Sequence, residues 1–386
     1  VSPPAPIPYG RQSIDDDDIA AVAATLKSGW ITQGPAIDRF EKAMAAFCGA
    51  KHAVAVCNAT AALHIGALAL GLKPGERLWT SPNTFVASAN CGLYCGATVD
   101  FVDVDPRTYN MSVDALRVKL EAAANNGTLP KIIVPVDFSG QSCEMAAIRA
   151  LAKQYGCKIM EDASHAVGGE YLGRKIGDGS HADLTVFSFH PVKIMTTGEG
   201  GMILTNDDEL YQKLIRLRSH GITRDPRFTQ NTPDGPWSYE QVDLGFNYRI
   251  TDIQAALGEN QLKKLPKFLT SRRALAARYD EKFAGLSLTT PWQHPDTLSA
   301  WHLYVVQVPA EKRLAIFEGL KAAGIFAQIH YIPVHTQPWY QALGFKRGDF
   351  PEAERYYSRA ISLPMFSSLS ESDQDRVIDA LQRLVL

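Results

Sequence analysis

Asp162 and Lys193 are the two residues whose types and setting suit a demanding chemistry. Each closes an apolar, strand-like run, 157–160 before the aspartate and 184–189 before the lysine. Strand ends are where an α/β sheet delivers its site residues. A lysine amine placed there can form a Schiff base with an aldehyde, and a buried carboxylate can hold a proton on a pyridine nitrogen. Together the pair meets the needs of pyridoxal phosphate. Taken singly, a lysine after a strand is a solvated turn residue, and an aspartate there caps a helix. The neighbours argue otherwise: Ser188 can offer its hydroxyl to a phosphate, and Gly198-Glu199-Gly200-Gly201 has little bulk to block close backbone approach to a ligand.

The elements that must position these residues alternate along the chain. Ser13 followed by 14–27 reads as a capped helix with acids in its first turn, and 36–47 as a second helix. Strand-like runs at 52–57, 77–80, 98–104, 131–136 and 157–160 then alternate with helical ones at 61–70, 87–95, 113–124 and 144–155. Such alternation predicts an α/β fold with a mainly parallel central sheet and helices on both faces. A helix at 207–219 and a Pro-, Thr- and Asp-rich loop at 221–239 follow. From Asp252 a long helical stretch runs toward Phe283, with Pro266 marking a break or kink. The runs 301–308, 313–323, 326–332 and 370–384 then predict a smaller C-terminal α+β region. The expected division is an N-terminal arm at 1–12, a large domain at 13–264 and a small domain at 265–386.

A chain of 386 residues can bury a large core without disulfides. Its formal charge of -2 gives no general pull toward nucleic acid or an anionic membrane. Cys48, Cys57, Cys91, Cys95, Cys143 and Cys157 are scattered through apolar segments without zinc-site spacing, so no metal is expected. They read as reduced thiols of a cytoplasmic protein. The segment Val1 to Pro8 lacks the basic start and apolar stretch of a signal peptide and reads as an extended arm. The uncharged stretch 53–72 is Ala-rich and carries Asn58, Thr60 and His64, which fits a buried strand and helix better than a membrane span.

Asn58-Ala59-Thr60-Ala61 joins one such strand to its helix, so backbone amides and the Thr60 hydroxyl converge at a helix N-terminus, a natural phosphate site. Phe85, in Ser81-Pro82-Asn83-Thr84-Phe85, has the ring to stack on an aromatic cofactor.

These segments, with Trp30-Ile31-Thr32-Gln33-Gly34, Asp137-Phe138-Ser139-Gly140, Glu161 to Ala166, Ser188 to Lys193 and Gly245-Phe246-Asn247-Tyr248-Arg249, resemble the DegT/DnrJ family of pyridoxal phosphate-dependent sugar aminotransferases nearly end to end. The resemblance implies the aspartate-aminotransferase (type I) fold. It points to the branch that aminates a UDP-linked 4-keto-6-deoxy-N-acetylhexosamine on the way to pseudaminic acid, with L-glutamate as donor. It also implies that Lys193 carries the cofactor, Asp162 pairs with the ring nitrogen, His165 lies near the ring and Phe85 stacks on it. Ala59, Thr60, Ala61 and Ser188 would bind the phosphate, completed by Asn247 of a neighbouring subunit in a homodimer with shared sites. Tyr9, Gly29, Trp30, Ile31, Thr32, His330 and Tyr331 correspond to regions lining the nucleotide-sugar cleft. Arg249 has the geometry for a donor carboxylate or a sugar diphosphate, and equally for a structural ion pair.

Three other readings compete. A sugar dehydratase of the same family would carry histidine where Lys193 stands. Another UDP-, dTDP- or GDP-linked ketosugar would leave the chemistry unchanged. A ligand sensor on the same fold would bind the cofactor without amino transfer.

Overall fold

In a computed structural model, which describes residues 5–385, seven strands form the central sheet. They are β1 (His52–Val56), β2 (Arg77–Thr80), β3 (Thr98–Phe101), β4 (Ile132–Val134), β5 (Lys158–Asp162), β6 (Leu184–Ser188) and β7 (Gly201–Thr205). Their spatial order is β1, β7, β6, β5, β4, β2, β3. All neighbours pair in parallel except β7, which runs antiparallel to both β1 and β6.

Both faces of the sheet are covered, which is why its strands read as apolar runs rather than alternating ones. One face presents Val54, Val56, Met160, Leu184, Val186 and Ile203 to helix α1 (Ala59–Ala69) and its neighbours. The other presents Ala53, Ala55, Phe187, Met202 and Leu204 to the helix Pro35–Cys48 and to the first half of α2 (Asp252–Phe283). Each fully buried aliphatic side chain in these layers contributes roughly 1.5–3 kcal/mol. The strand ends that carry Asp162 and Ser188 are therefore held firmly in depth.

α2 begins at Thr251, whose side chain and Gln254 form a reciprocal cap. The helix passes through Pro266 without ending there. An internal proline costs about 3 kcal/mol, but Leu265, Phe268 and Leu269 are buried around it and hold both turns to the core. Beyond them Leu275, Ala276, Tyr279 and Phe283 pack into a different cluster, with Val306, Ile316, Ile361, Val377 and Leu381. Here an antiparallel pair, Tyr304–Gln307 and Ala360–Leu363, is covered by Arg313–Ala322 and Glu371–Val385.

Several expectations shift by local chemistry. The first helix is Asp16–Lys27 and is capped by Asp15 with Asp18, because the Ser13 carbonyl instead accepts from Gln261. The strand expected at 326–332 is only Ile325–Phe326; it pairs in parallel with Ile7–Pro8, so the described part of the N-terminal arm is tied to the C-terminal region. The loop at 221–239 is closed by a short antiparallel pair, Ile222–Thr223 with Glu240–Gln241. All six cysteines are free, and all but Cys57 are buried. Among the described residues, no helix is long and apolar enough to cross a membrane.

Candidate active site

At the C-terminal ends of β5 and β6 a cavity of about 460 Å³ opens toward the C-terminal region. Its wall brings together Tyr9, Ala59, Thr60, Phe85, Asp162, His165, Ser188, Lys193, His330 and Tyr331 from widely separated parts of the chain. Asn58, Ser88, Ser164, Glu199 and His302 are among the other residues that line it.

Asp162 is 4 % exposed and held by three donors. Ser88 Oγ donates to Oδ2 at 2.6 Å, while Ser164 Oγ and the Ser164 amide donate to Oδ1 at 2.6 and 3.1 Å. Donors on both oxygens fix the plane of the carboxylate. Burial lowers the Lys193 amine and the Asp162 charge offsets part of that lowering, which leaves it at about 8. A lysine tuned this way is suited to both nucleophilic attack and proton transfer near neutrality.

Beside them lies a histidine cluster. The Ser139 amide donates to His165 Nδ1 at 3.3 Å, which leaves the ring proton on Nε2, 3.1 Å from the Tyr331 hydroxyl. The Tyr331 proton is then free to point into the cavity. The His165 and His302 ring centroids are 4.4 Å apart. Burial, reinforced by the Lys193 charge, lowers His165, His302 and His330, the last to about 3. All three are neutral at physiological pH. Burial raises Tyr331, which stays a phenol.

The phosphate end is the start of α1. The Asn58 side chain caps the helix by accepting from the Ala61 amide at 2.8 Å, so that amide is already taken. The first-turn amides of Ala59 and Thr60 lack intrahelical partners by helix geometry and face the cavity with the Thr60 and Ser188 hydroxyls. Gly201 has a specific reason to lack a side chain. A Cβ there would sit 2.6–2.7 Å from the Asn58 and Ala59 backbone, so the close approach this glycine permits is to the cupping turn. These donors, the buried carboxylate and the tuned amine together fit pyridoxal phosphate.

Gly29, Trp30, Ile31, Thr32, Asn247 and Arg249 do not line this cavity. They gather elsewhere: the Ile31 carbonyl accepts from Asp252, Thr32 bridges Thr251, Asn247 bridges Ser219 and Arg249 bridges Val56. Trp30 and Ile31 are 59 % and 51 % exposed there. Ser88, Ser164 and His302 escaped the sequence reading. Ser88 sits in the first turn of the helix Ala87–Tyr94, and nothing local in the sequence ties it to Asp162.

The DegT/DnrJ/EryC1/StrS aminotransferase family model matches residues 12–382, and the chain belongs to that family. It is 44 % identical over 386 residues to the spore coat polysaccharide biosynthesis protein SpsC of Bacillus subtilis, covering 98 % of this chain and 97 % of that one. It is 38 % identical over 380 residues to the UDP-4-amino-4,6-dideoxy-N-acetyl-beta-L-altrosamine transaminase of Campylobacter jejuni, covering 97 % and 96 %. Among solved structures it superposes on Helicobacter pylori PseC, an aminotransferase of pseudaminic acid biosynthesis, with a TM-score of 0.89 at 33 % identity, covering 98 % and 99 %. The protein is thus a pyridoxal phosphate-dependent sugar aminotransferase of the type I fold, with PseC-like relatives.

Proposed function

We propose that the enzyme moves the amino group of L-glutamate to carbon 4 of a UDP-linked 4-keto-6-deoxy-N-acetylhexosamine, a step of pseudaminic acid biosynthesis. The observation that carries the chemistry is the tuned Lys193 amine sharing one cavity with the triply bonded Asp162. The acceptor rests on similarity to the altrosamine transaminase and PseC.

When bound, pyridoxal phosphate supplies an electron sink for the pair left on the donor α-carbon. Lys193 Nζ is the amine that would hold the cofactor, and when free it would serve as the base and acid that moves a proton at the reacting carbon of donor and acceptor. Asp162 keeps a proton on the pyridine nitrogen. Ala59, Thr60 and Ser188 would hold the phosphate, Phe85 would cover the ring, and His165 with Tyr331 would offer hydrogen bonds to it. Tyr9 and His330 border the sugar.

Lys193 is the only lysine or arginine among the described lining residues. A donor dicarboxylate and a sugar diphosphate need more positive charge than that. Asn247 and Arg249 lie away from their own chain's cavity, and in a dimer they would complete the site of the second copy, with Gly29 to Thr32 beside them. This supports a homodimer with shared sites. The region 13–264 would form the cofactor domain and 265–386 the cap.

The test is a mass-spectrometric screen of 4-keto sugar nucleotides with glutamate. The L-arabino configured UDP-ketosugar should be used with a higher kcat/KM than its D-xylo isomer. The higher identity to SpsC favours a second reading, a different ketosugar nucleotide destined for a surface polysaccharide. Turnover of only a dTDP- or GDP-linked ketosugar would select that reading over the first.

A further inference from the structure

Behind Asp162 lies a pair of acids that the proposed reaction does not use. Asp137 is fully buried and Glu161 is 5 % exposed, and the two carboxyl groups are close neighbours. Asp137 Oδ1 accepts from the Cys143 amide at 2.9 Å, whereas its Oδ2 has no donor among the described residues. Glu161 Oε2 accepts from Thr185 Oγ1 at 2.8 Å. Two carboxylates have no hydrogen to share, so a contact between them requires a proton.

The surroundings supply no countercharge. The titratable groups facing Asp137 are Glu161, Cys143 and Asp162. Those facing Glu161 are Asp137, Asp162, Asp178 and the thiols of Cys48 and Cys143. Arg174, Lys175 and His181 share a small void with Glu161, but Arg174 is paired with Asp178 and Lys175 with Glu170. Neither Asp137 nor Glu161 takes part in an ion pair among the described residues.

The pair is tied to the catalytic carboxylate through the main chain. The Asp137 amide donates to the Asp162 carbonyl at 3.1 Å, and the Asp162 amide to the Pro135 carbonyl at 2.9 Å. Glu161 and Asp162 are successive on β5 and leave the sheet on opposite faces.

We propose that Asp137 is kept as a neutral carboxylic acid donating to Glu161, and that this proton-bearing pair is a positioning element for Asp162, anchoring the strand end from the face opposite the cavity. The assignment of Asp162 to the cofactor nitrogen belongs to the reading above; the protonated pair stands without it. Burial raises both acids, in agreement with a retained proton.

Infrared difference spectroscopy tests the pair on cofactor-free protein near neutral pH. A carboxylic-acid carbonyl band should be present in the wild type, lost in Asp137→Asn and retained in Asp162→Asn. A wild type without the band, or a band that survives Asp137→Asn, overturns the assignment. Should Asp137→Asn fail to fold, Glu161→Gln keeps the acid and must shift the band; an unshifted band is equally fatal. With cofactor bound, the pH midpoint of its absorbance change should move by about half a unit or more in Asp137→Asn, and an unmoved midpoint rejects the positioning role. If cofactor were found on a lysine other than Lys193, the functional reading would fail while the cofactor-free spectra still decided the pair.

Discussion

Lys193 of the cofactor-free enzyme should titrate far below an ordinary lysine. Burial, partly offset by the Asp162 charge, brings its amine to about 8, so at pH 7.5 roughly one quarter is neutral, against about one part in a thousand for a lysine near 10.4. Competitive labelling with a trace amine-reactive reagent, followed by peptide mapping across a pH series, reads this directly. At equal access, Lys193 should react about 200-fold faster at pH 7.5 than the surface lysines. Asp162 pulls the amine upward, so Asp162→Asn should move the midpoint further down. The same shift has a stability consequence. Because the folded value lies below the unfolded one, the fold disfavours the ammonium; the cost is complete below about pH 8 and is relieved as pH rises toward 10.4. The shift corresponds to about 3 kcal/mol at most, and partial exposure of the side chain reduces it to about 1–3 kcal/mol. Lys193→Met should therefore stabilise the cofactor-free protein by that amount at pH 7, and by much less at pH 10, in denaturant unfolding. A labelling midpoint near 10, or an upward shift in Asp162→Asn, would refute the reasoning.

Four further outcomes are expected. Asp162→Asn should slow both half-reactions far more than it weakens cofactor binding, as read in single-turnover kinetics with glutamate, because an amide cannot stabilise a protonated pyridine as a carboxylate does. Ser88→Ala removes the 2.6 Å bond to Asp162 and should lower kcat by about 10–100-fold, the equivalent of one charge-assisted hydrogen bond; an unchanged kcat would remove Ser88 from the site. Gly201→Ala drives a Cβ into the Asn58 turn and should weaken cofactor binding about tenfold or more, measured by equilibrium dialysis. Mixing Lys193→Ala with an impaired Asn247→Ala variant, once subunit exchange is confirmed, should restore activity, since one site per heterodimer has both residues intact; no gain over the parents would reject sharing.

The site was legible where strand ends and turn chemistry coincide. Asp162, Ser188 and Lys193 follow apolar runs, and Asn58 to Thr60 joins a strand to a helix; such signals are local and survive in the sequence. The partners of Asp162 were not legible in the same way. Ser88 lies far upstream in an Ala-rich helix, and only the order of β2, β4 and β5 brings it to the aspartate. Strand β7, Gly201–Thr205, went unread altogether, because it starts at the last residue of a glycine-rich segment, and its antiparallel direction went unread with it. The helix Pro351–Arg359 went unread because it buries only Ala353 and Tyr356. Pro266 misled as a breaker because tertiary packing overrode its local preference.

The tie between Tyr9 and the C-terminal region sets a time order for the enzyme's birth. The Tyr9 carbonyl accepts from the Met365 amide, and its ring lies 5.3 Å from that of His330. One wall of the cavity is thus built from a segment made well before Lys193 and segments made well after it. A nascent chain that has passed Lys193 can already form the phosphate turn and the reactive amine, yet its pocket stays open on that side until Met365 has been added. Lasting capture of the cofactor accordingly waits for that wall, and a chain that stops before His330 has the reactive amine but lacks it.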